Sequence, residues 1–443
     1  MTTGSVIGAP SQGVLDMLAR SASFRSAEEF PGELGGVSAR GAQGGAPGRP
    51  VGDVAGATGS RAEAAGSASG SRAPVMPLTA HGGAVAEYEE RFGVEPLDFS
   101  ANVNPYGISP LARRAAAAAL DDACAYPDPA CRELRRALGA HLGVDPAWVL
   151  PGNGAADVIW RLAAALRPRR ALVLAPTFSE YELALRAAGC GEVVRFGLAR
   201  EDGFVPGDEL LGAVEGADVA FVCNPNNPTG VTAPASLLER LARRCEELGC
   251  VLVVDECFNG FLDDPDAHTV RPLLADLAHL VVLGAFTKLY GMAGLRLGYL
   301  LCSDAGLLER VRAAGQAWPV SSVAQAAGVA ALGDEAFVAR TRRLVSAERA
   351  RLAEGLAGLG LEVVPGEANY LFFTGPRGLY EAMAARGVVI RDCRSYEGLE
   401  EGDYRVAVRL PRQNDRLVAE LRRALDELRG DGPRSDGREA HDA

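Results

Sequence analysis

Lys288 is the only lysine in a chain of 443 residues; every other one of its 45 lysine-plus-arginine residues is an arginine. A coding bias toward arginine exchanges the two wherever a solvated positive charge is all that is required. It cannot do so where a primary amine is required. A guanidinium stays protonated, whereas an amine can lose its proton and attack a carbonyl. The surviving lysine is therefore a candidate for covalent chemistry rather than a chance surface charge. It sits in Ala285-Phe286-Thr287-Lys288-Leu289-Tyr290-Gly291, followed by Gly294-Leu295-Arg296-Leu297-Gly298-Tyr299.

Two further polar groups precede it in the chain. The apolar run Val219–Cys223 leads into Asn224-Pro225-Asn226-Asn227-Pro228-Thr229-Gly230, and the run 250–254 ends in Asp255-Glu256. The run 280–284 then leads to Lys288. Alone, Asn-Pro-Thr-Gly reads as a turn and Asp255 as a helix N-cap. In order, an amide, a carboxylate and an amine each follow a short strand. Ligands of open α/β sheets bind beyond the carboxyl ends of strands.

The elements that must position these groups follow from periodicity. Further strand-like runs lie at 171–175 and 298–302, and helical spacing recurs in Leu237, Leu238, Leu241, Ala242 and Cys245 and in Leu134, Ala137, Leu138 and Leu142. Short, wholly apolar strands joined by helices predict an α/β domain with a mostly parallel central sheet covered on both faces. A long helix around 337–356 leads into runs at 361–364, 370–373, 388–391 and 404–408, which predict a smaller α+β domain. Residues 1–75 are rich in Gly, Ala, Ser and Arg, and predict a disordered leader, with Met76 an alternative start. The resulting organisation is a segment 76–125 joining the small domain, a large domain 126–335, a small domain 336–429 and a loose tail 430–443.

A net charge of −12 argues against nucleic acid as a partner. No apolar run reaches the roughly 18–20 residues of a membrane span. The nine cysteines are scattered without metal-ligand spacing, which predicts a reduced cytoplasmic enzyme without a metal site.

The order Asn227, Asp255, Lys288, Arg296 resembles the fold-type I aminotransferase family, which uses pyridoxal 5′-phosphate, over about residues 78–428. The resemblance implies the fold of those transferases. Lys288 would carry the cofactor through its amine and later move protons. Asp255 would pair with the ring nitrogen, keeping it protonated and the ring an electron sink. Asn227 would bond the ring hydroxyl oxygen. Gly154, Ala155 and Ala156, in Pro151-Gly152-Asn153-Gly154-Ala155-Ala156-Asp157, match the phosphate cradle, where helix-entry N–H groups meet an anion. Thr287 and Arg296 would complete it. Phe178 would stack on the ring. Tyr126, in Tyr126-Pro127-Asp128-Pro129, matches a tyrosine that reaches the phosphate in the neighbouring subunit, which implies a homodimer. Ala285 and Phe258 depart from the family's usual Ser/Thr and Tyr.

At the substrate end, Tyr404-Arg405-Val406-Ala407-Val408-Arg409 resembles the segment whose first arginine clamps the substrate α-carboxylate, a task suited to a planar bidentate donor. Arg409, on the same strand face, reads as a surface charge. Arg391, in Val389-Ile390-Arg391-Asp392-Cys393, matches a second arginine that binds a substrate phosphate. His81-Gly82-Gly83 and Leu97-Asp98-Phe99-Ser100-Ala101-Asn102-Val103-Asn104-Pro105-Tyr106-Gly107 resemble the threonine-phosphate decarboxylase branch of the family, with the histidinol-phosphate aminotransferase branch next. There His81 and Asn102 would reach the substrate phosphate. The implied reaction is decarboxylation of O-phospho-L-threonine or a close phospho- or phosphonoamino acid; the alternative is transamination of the histidinol-phosphate type. Which bond at the substrate Cα stands perpendicular to the ring decides between them.

Overall fold

A computed structural model of the chain describes residues 82–430 apart from Ala84 and Val94. The leader 1–75, Met76, His81 and residues 431–443 of the tail lie outside the described residues.

The strands, numbered in chain order, begin with β1 (Leu97–Asp98). The large sheet holds β2 (Val149–Gly152), β3 (Arg170–Ala175), β4 (Glu192–Gly197), β5 (Val219–Cys223), β6 (Val251–Asp255), β7 (Leu280–Ala285) and β8 (Gly298–Leu301). Its order is β2-β8-β7-β6-β5-β3-β4. The run from β7 to β4 is parallel, and β8 is antiparallel to both β7 and β2. Alternate residues of each central strand enter different cores. Leu172, Ala220, Leu252 and Val282 pack on one face, and Val173, Phe221, Val253 and Val281 on the other. That is why these strands read as unbroken apolar runs: both faces are covered by helices.

Two strands of this sheet left no mark in the sequence pattern. β2 is short and carries Pro151 and Gly152, which normally argue against a strand. β4 lies at the sheet edge and carries Glu192 and Arg195, with no residue fully buried.

The second sheet follows the long helix Glu335–Ala357. It pairs β9 (Glu362–Val363), β10 (Tyr370–Thr374), β12 (Arg391–Asp392) and β13 (Asp403–Ala407) in the order β12-β13-β10-β9. Its core gathers Leu352, Leu371, Phe373, Val406 and Leu421 around Phe99. The single strand expected over 388–391 is two. β11 (Val388–Val389) runs parallel to β1, and β12 pairs with β13. The chain changes partner at Ile390 because the backbone groups before it are taken by β1 and those after it by β13. Arg409 also departs from expectation. It lies beyond β13, and its Nε donates to the Asp98 carbonyl at 2.9 Å, fastening β1 to the small sheet rather than lying free on the surface. No helix of the described residues is long and apolar enough to cross a membrane.

Candidate active site

Strands β5 and β6 end level with one another and β7 runs two residues further: Cys223 is the register partner of Asp255, and Asp255 of Leu283, ahead of the β7 end at Ala285. The Asn224 amide donates to the Asp255 carbonyl at 2.9 Å, and the Glu256 amide to the Leu283 carbonyl at 2.9 Å. These bonds bring the asparagine turn, the carboxylate and the lysine loop to one sheet edge.

Asp255 is buried, and each carboxylate oxygen is held. Oδ2 accepts from the Tyr181 hydroxyl at 2.7 Å, and Oδ1 accepts from the Cys257 amide at 3.0 Å. Tyr181 belongs to the helix Glu180–Ala187; its ring stacks on Phe221 at 5.0 Å and meets the edge of Phe178 at 5.6 Å. Burial, and then the Asp255 charge, push the Tyr181 hydroxyl well above its ordinary value, so it stays a donor. Sequence reasoning missed Tyr181. The one signal was its place three residues after Phe178, at the helix entry beyond β3.

Lys288 lies in the turn between β7 and β8, and that turn is braced from the amino-terminal segment. The Lys288 carbonyl accepts from the Asn104 amide at 3.1 Å. The Asn104 side chain donates to the Leu289 carbonyl at 2.6 Å and to Thr341 Oγ1 at 2.9 Å. Gly291, at φ +66°, leaves room for the Gly107 carbonyl, which a Cβ there would meet at 2.1 Å. The Lys288 Nζ stands 5.4 Å from the Phe258 ring centre. Burial lowers its pKa to about 8, helped by the Arg405 and Arg296 charges and opposed by Asp255. A useful fraction of the amine is therefore neutral near physiological pH, as a carbonyl-attacking lysine requires.

Next to it, the helix Gly154–Leu166 begins without a side-chain cap from Asn153. Asp157 Oδ2 instead accepts from the Asn153 amide at 2.9 Å and from Arg161 Nη1 at 3.3 Å. Gly154 takes φ +85°, and a Cβ there would lie 2.7 Å from Arg296 Nη2. Gly298 admits the start of the same helix: its Cβ would meet the Ala155 nitrogen at 2.4 Å. The guanidinium thus sits against the first helical turn at Gly154, Ala155 and Ala156. Uncapped N–H groups plus a cation suit a phosphate. Thr287 adjoins Lys288 and is half-buried. An amine for an aldehyde, a held carboxylate for a ring nitrogen and an anion cup fit pyridoxal phosphate.

At the other end, Arg405 on β13 is buried at 4 % exposure and Arg391 on β12 at 7 %. They are register partners. Arg405 lies 5.3 Å from the centre of the Tyr370 ring. Its Nη2 donates to the Ser100 carbonyl at 2.8 Å, and its Nη1 to Asn227 Oδ1. The Asn102 amide oxygen, turned toward Arg405, accepts from Nε and Nη1 at 3.2 Å each. Asn102 therefore stands at the arginine assigned to the carboxylate. Gly83, two residues after His81 in the chain, donates its amide to Ser100 Oγ at 2.9 Å. Tyr396, also missed from sequence, reaches Asn227 Oδ1 with its hydroxyl at 3.4 Å.

The structure so brings together Lys288, Asp255, Asn227, Arg405, Asn102 and Arg391, and sets Arg296 against Gly154 at the start of the helix that carries Ala155 and Ala156; for Thr287 it shows half-burial beside Lys288. Phe178 stands by through Tyr181. Tyr126 is different: it is 80 % exposed and stacks on Trp318 at 4.6 Å. A cleft of about 420 Å³ beside it is lined by Pro127, Trp318, Asn153 and Leu295, the last two adjoining Gly154 and Arg296 in the chain.

Comparison with known proteins agrees with this geometry. The family described as Aminotransferase class I and II matches residues 94–421. Threonine-phosphate decarboxylase of Salmonella typhimurium is 40 % identical over 355 residues, 78 % of this chain and 97 % of that one. Histidinol-phosphate aminotransferase of Nitratidesulfovibrio vulgaris is 36 % identical over 351 residues, 77 % and 92 % of the two chains. The solved histidinol-phosphate aminotransferase of Sinorhizobium meliloti, in complex with pyridoxal 5′-phosphate, superposes with a TM-score of 0.71 at 24 % identity, covering 78 % of this chain and 95 % of that one. The chain belongs to the class I and II aminotransferase family, with the fold-type I architecture.

Proposed function

We propose that this chain decarboxylates O-phospho-L-threonine, or a close phospho- or phosphonoamino acid, to the aminoalkyl phosphate. The cofactor is pyridoxal 5′-phosphate. The observation that carries the reading is the buried pair Arg391 and Arg405, side by side on β12 and β13. Such a pair asks for a substrate with two anionic groups. The relative at 40 % identity has that kind of substrate in its name.

When bound, the cofactor supplies a sink for the electron pair left at Cα. The protein residues do the rest. Arg405 and Asn102 hold the α-carboxylate, and Arg391 with His81 holds the phosphate. Asp255 fixes the ring nitrogen in its protonated state, itself held by Tyr181 and the Cys257 amide. Carbon dioxide leaves from Cα, and Lys288 delivers the proton that replaces it. Holding the substrate at both ends fixes which bond is aligned for cleavage, and orientation of that kind is worth several kcal/mol.

In this reading Tyr126 approaches the phosphate cup of a second subunit. The exposed Tyr126–Trp318 stack and the cleft beside the cup support such a homodimer. The large domain is assigned to 126–335 and the small one to 336–429. None of the nine cysteines is paired, which supports a reducing, cytoplasmic setting.

Transamination of the histidinol-phosphate type is the second reading, favoured by the relative at 36 % identity. Incubation with histidinol phosphate and 2-oxoglutarate tests it: the decarboxylase reading expects no glutamate, and steady glutamate formation would replace it with the second.

A further inference from the structure

The loop after β12 carries a side chain that touches both anion anchors. Two turns hold that loop: the Tyr396 amide donates to the Cys393 carbonyl at 3.0 Å, and the Leu399 amide to the Tyr396 carbonyl at 3.1 Å. The Tyr396 ring centre lies 5.6 Å from the Arg391 guanidinium carbon. The neighbouring Ser395 Oγ accepts from Arg391 Nη2 at 3.1 Å. At the far end of the same ring, the Tyr396 hydroxyl donates to Asn227 Oδ1 at 3.4 Å and accepts from Arg405 Nη1 at 3.5 Å.

Arg405 is held by Ser100, Asn227 and Asn102, and Arg391 donates to Ser395, but none of these bonds spans the two guanidinium heads. We infer that Tyr396 is a positioning residue for the substrate: its ring is the platform that orients Arg391, and its hydroxyl reaches the directly bonded pair Arg405 and Asn227. One rigid side chain thereby sets the distance between the phosphate anchor and the carboxylate anchor, and links both to the asparagine assigned to the cofactor ring. A guanidinium over an aromatic face is attracted to it, and a phenol can donate and accept at once. Both properties are used here.

The inference rests on Arg391 and Arg405 being the two anion anchors, and its test does not depend on which bond of the substrate breaks. The cofactor-loaded enzyme is titrated by calorimetry with two inert probes. Inorganic phosphate reports on the Arg391 end. 3-Phosphonopropionate spans both ends and, having no amine, undergoes no reaction. Tyr396→Phe keeps the platform and removes the hydroxyl. It is expected to bind phosphate within about two-fold of wild type and phosphonopropionate about five-fold more weakly, the size of one weak hydrogen bond. Tyr396→Leu removes both and is expected to weaken both probes by about five-fold or more. A residue that merely packs the loop would not split the two probes in the Phe variant. Phosphonopropionate affinity unchanged in Tyr396→Phe, or phosphate affinity unchanged in Tyr396→Leu, overturns the inference. So does a wild-type enzyme that binds neither probe. Failure of the decarboxylase reading would show separately, as absence of carbon dioxide release.

Discussion

Arg391 and Arg405 are direct partners across the antiparallel pair β12–β13, and both are buried. Opposite residues of such a pair share a face of the sheet, with Cα atoms about 4.5–5.5 Å apart. The partners found for Arg405 are neutral: Asn227, Asn102 and the Ser100 carbonyl. A buried cation with only neutral partners, as Arg405 has, is costly, and a substrate carboxylate would supply the missing anion.

The two arginines should therefore be separable by substrate. Arg405→Gln is expected to weaken both O-phospho-L-threonine and L-threonine, and Arg391→Gln the phosphorylated compound alone. A hydrogen bond to a charged group is worth about 1.5–3 kcal/mol, or roughly ten- to hundred-fold in affinity. Equilibrium titration of each variant reads this, and equal weakening of both ligands by Arg391→Gln would contradict it.

Lys288 should titrate far below an ordinary lysine. Peptide-level mass spectrometry after labelling the cofactor-free protein with an amine-reactive ester reads a single lysine. Half-maximal labelling is expected near pH 8 rather than 10.5. The sign for stability follows. Between about 8 and 10.5 the unfolded chain binds more protons than the folded one, so stability rises as pH climbs through that window. Below about 8 the penalty is fully present. A labelling midpoint near 10.5 would contradict the burial of this amine.

Asn104 should matter without touching substrate. Asn104→Ala leaves the Leu289 carbonyl and Thr341 hydroxyl without their partner, at a cost of about 1–3 kcal/mol. Denaturant unfolding measures that loss. Because the same residue braces the Lys288 turn, kcat is expected to fall by about ten-fold while substrate affinity changes little.

How much of this was legible in the sequence depends on the range of the interaction involved. The amine, carboxylate and amide were readable because each follows its own strand, and apolar runs mark strands locally. Lys288, Asp255 and Asn227 then meet because β5, β6 and β7 are adjacent parallel strands whose carboxyl ends lie together. Tyr181 and Tyr396 were not readable. Tyrosines are ordinary core residues, and what distinguishes these two is a partner 74 and 169 positions away in the chain. Asn104 shows the same limit: Asn102 and Asn104 look alike in the motif, yet one faces Arg405 and the other holds the lysine turn. The split at Ile390 was hidden because the apolar run Val388-Val389-Ile390 leads straight into Arg391 with no turn residue, while the pairing partner changes.

Gly154 offers a test of the cup. Gly154→Ala puts a methyl against the Arg296 guanidinium at a backbone angle that alanine rarely adopts. Left-handed backbone costs a non-glycine residue about 1–2 kcal/mol, so cofactor retention is expected to weaken by about ten-fold or more. Dialysis followed by cofactor absorbance measures it; unchanged retention would remove Gly154 and Arg296 from the cup.

The central claim is that both ends of a phosphoamino acid are held while carbon dioxide leaves. Phosphorus NMR of the cofactor-loaded enzyme with O-phospho-L-threonine and no oxo acid tests it directly. Conversion to aminopropanol phosphate, with one carbon dioxide released per product, is the predicted result. Unchanged O-phospho-L-threonine, with turnover of histidinol phosphate once 2-oxoglutarate is added, would contradict it.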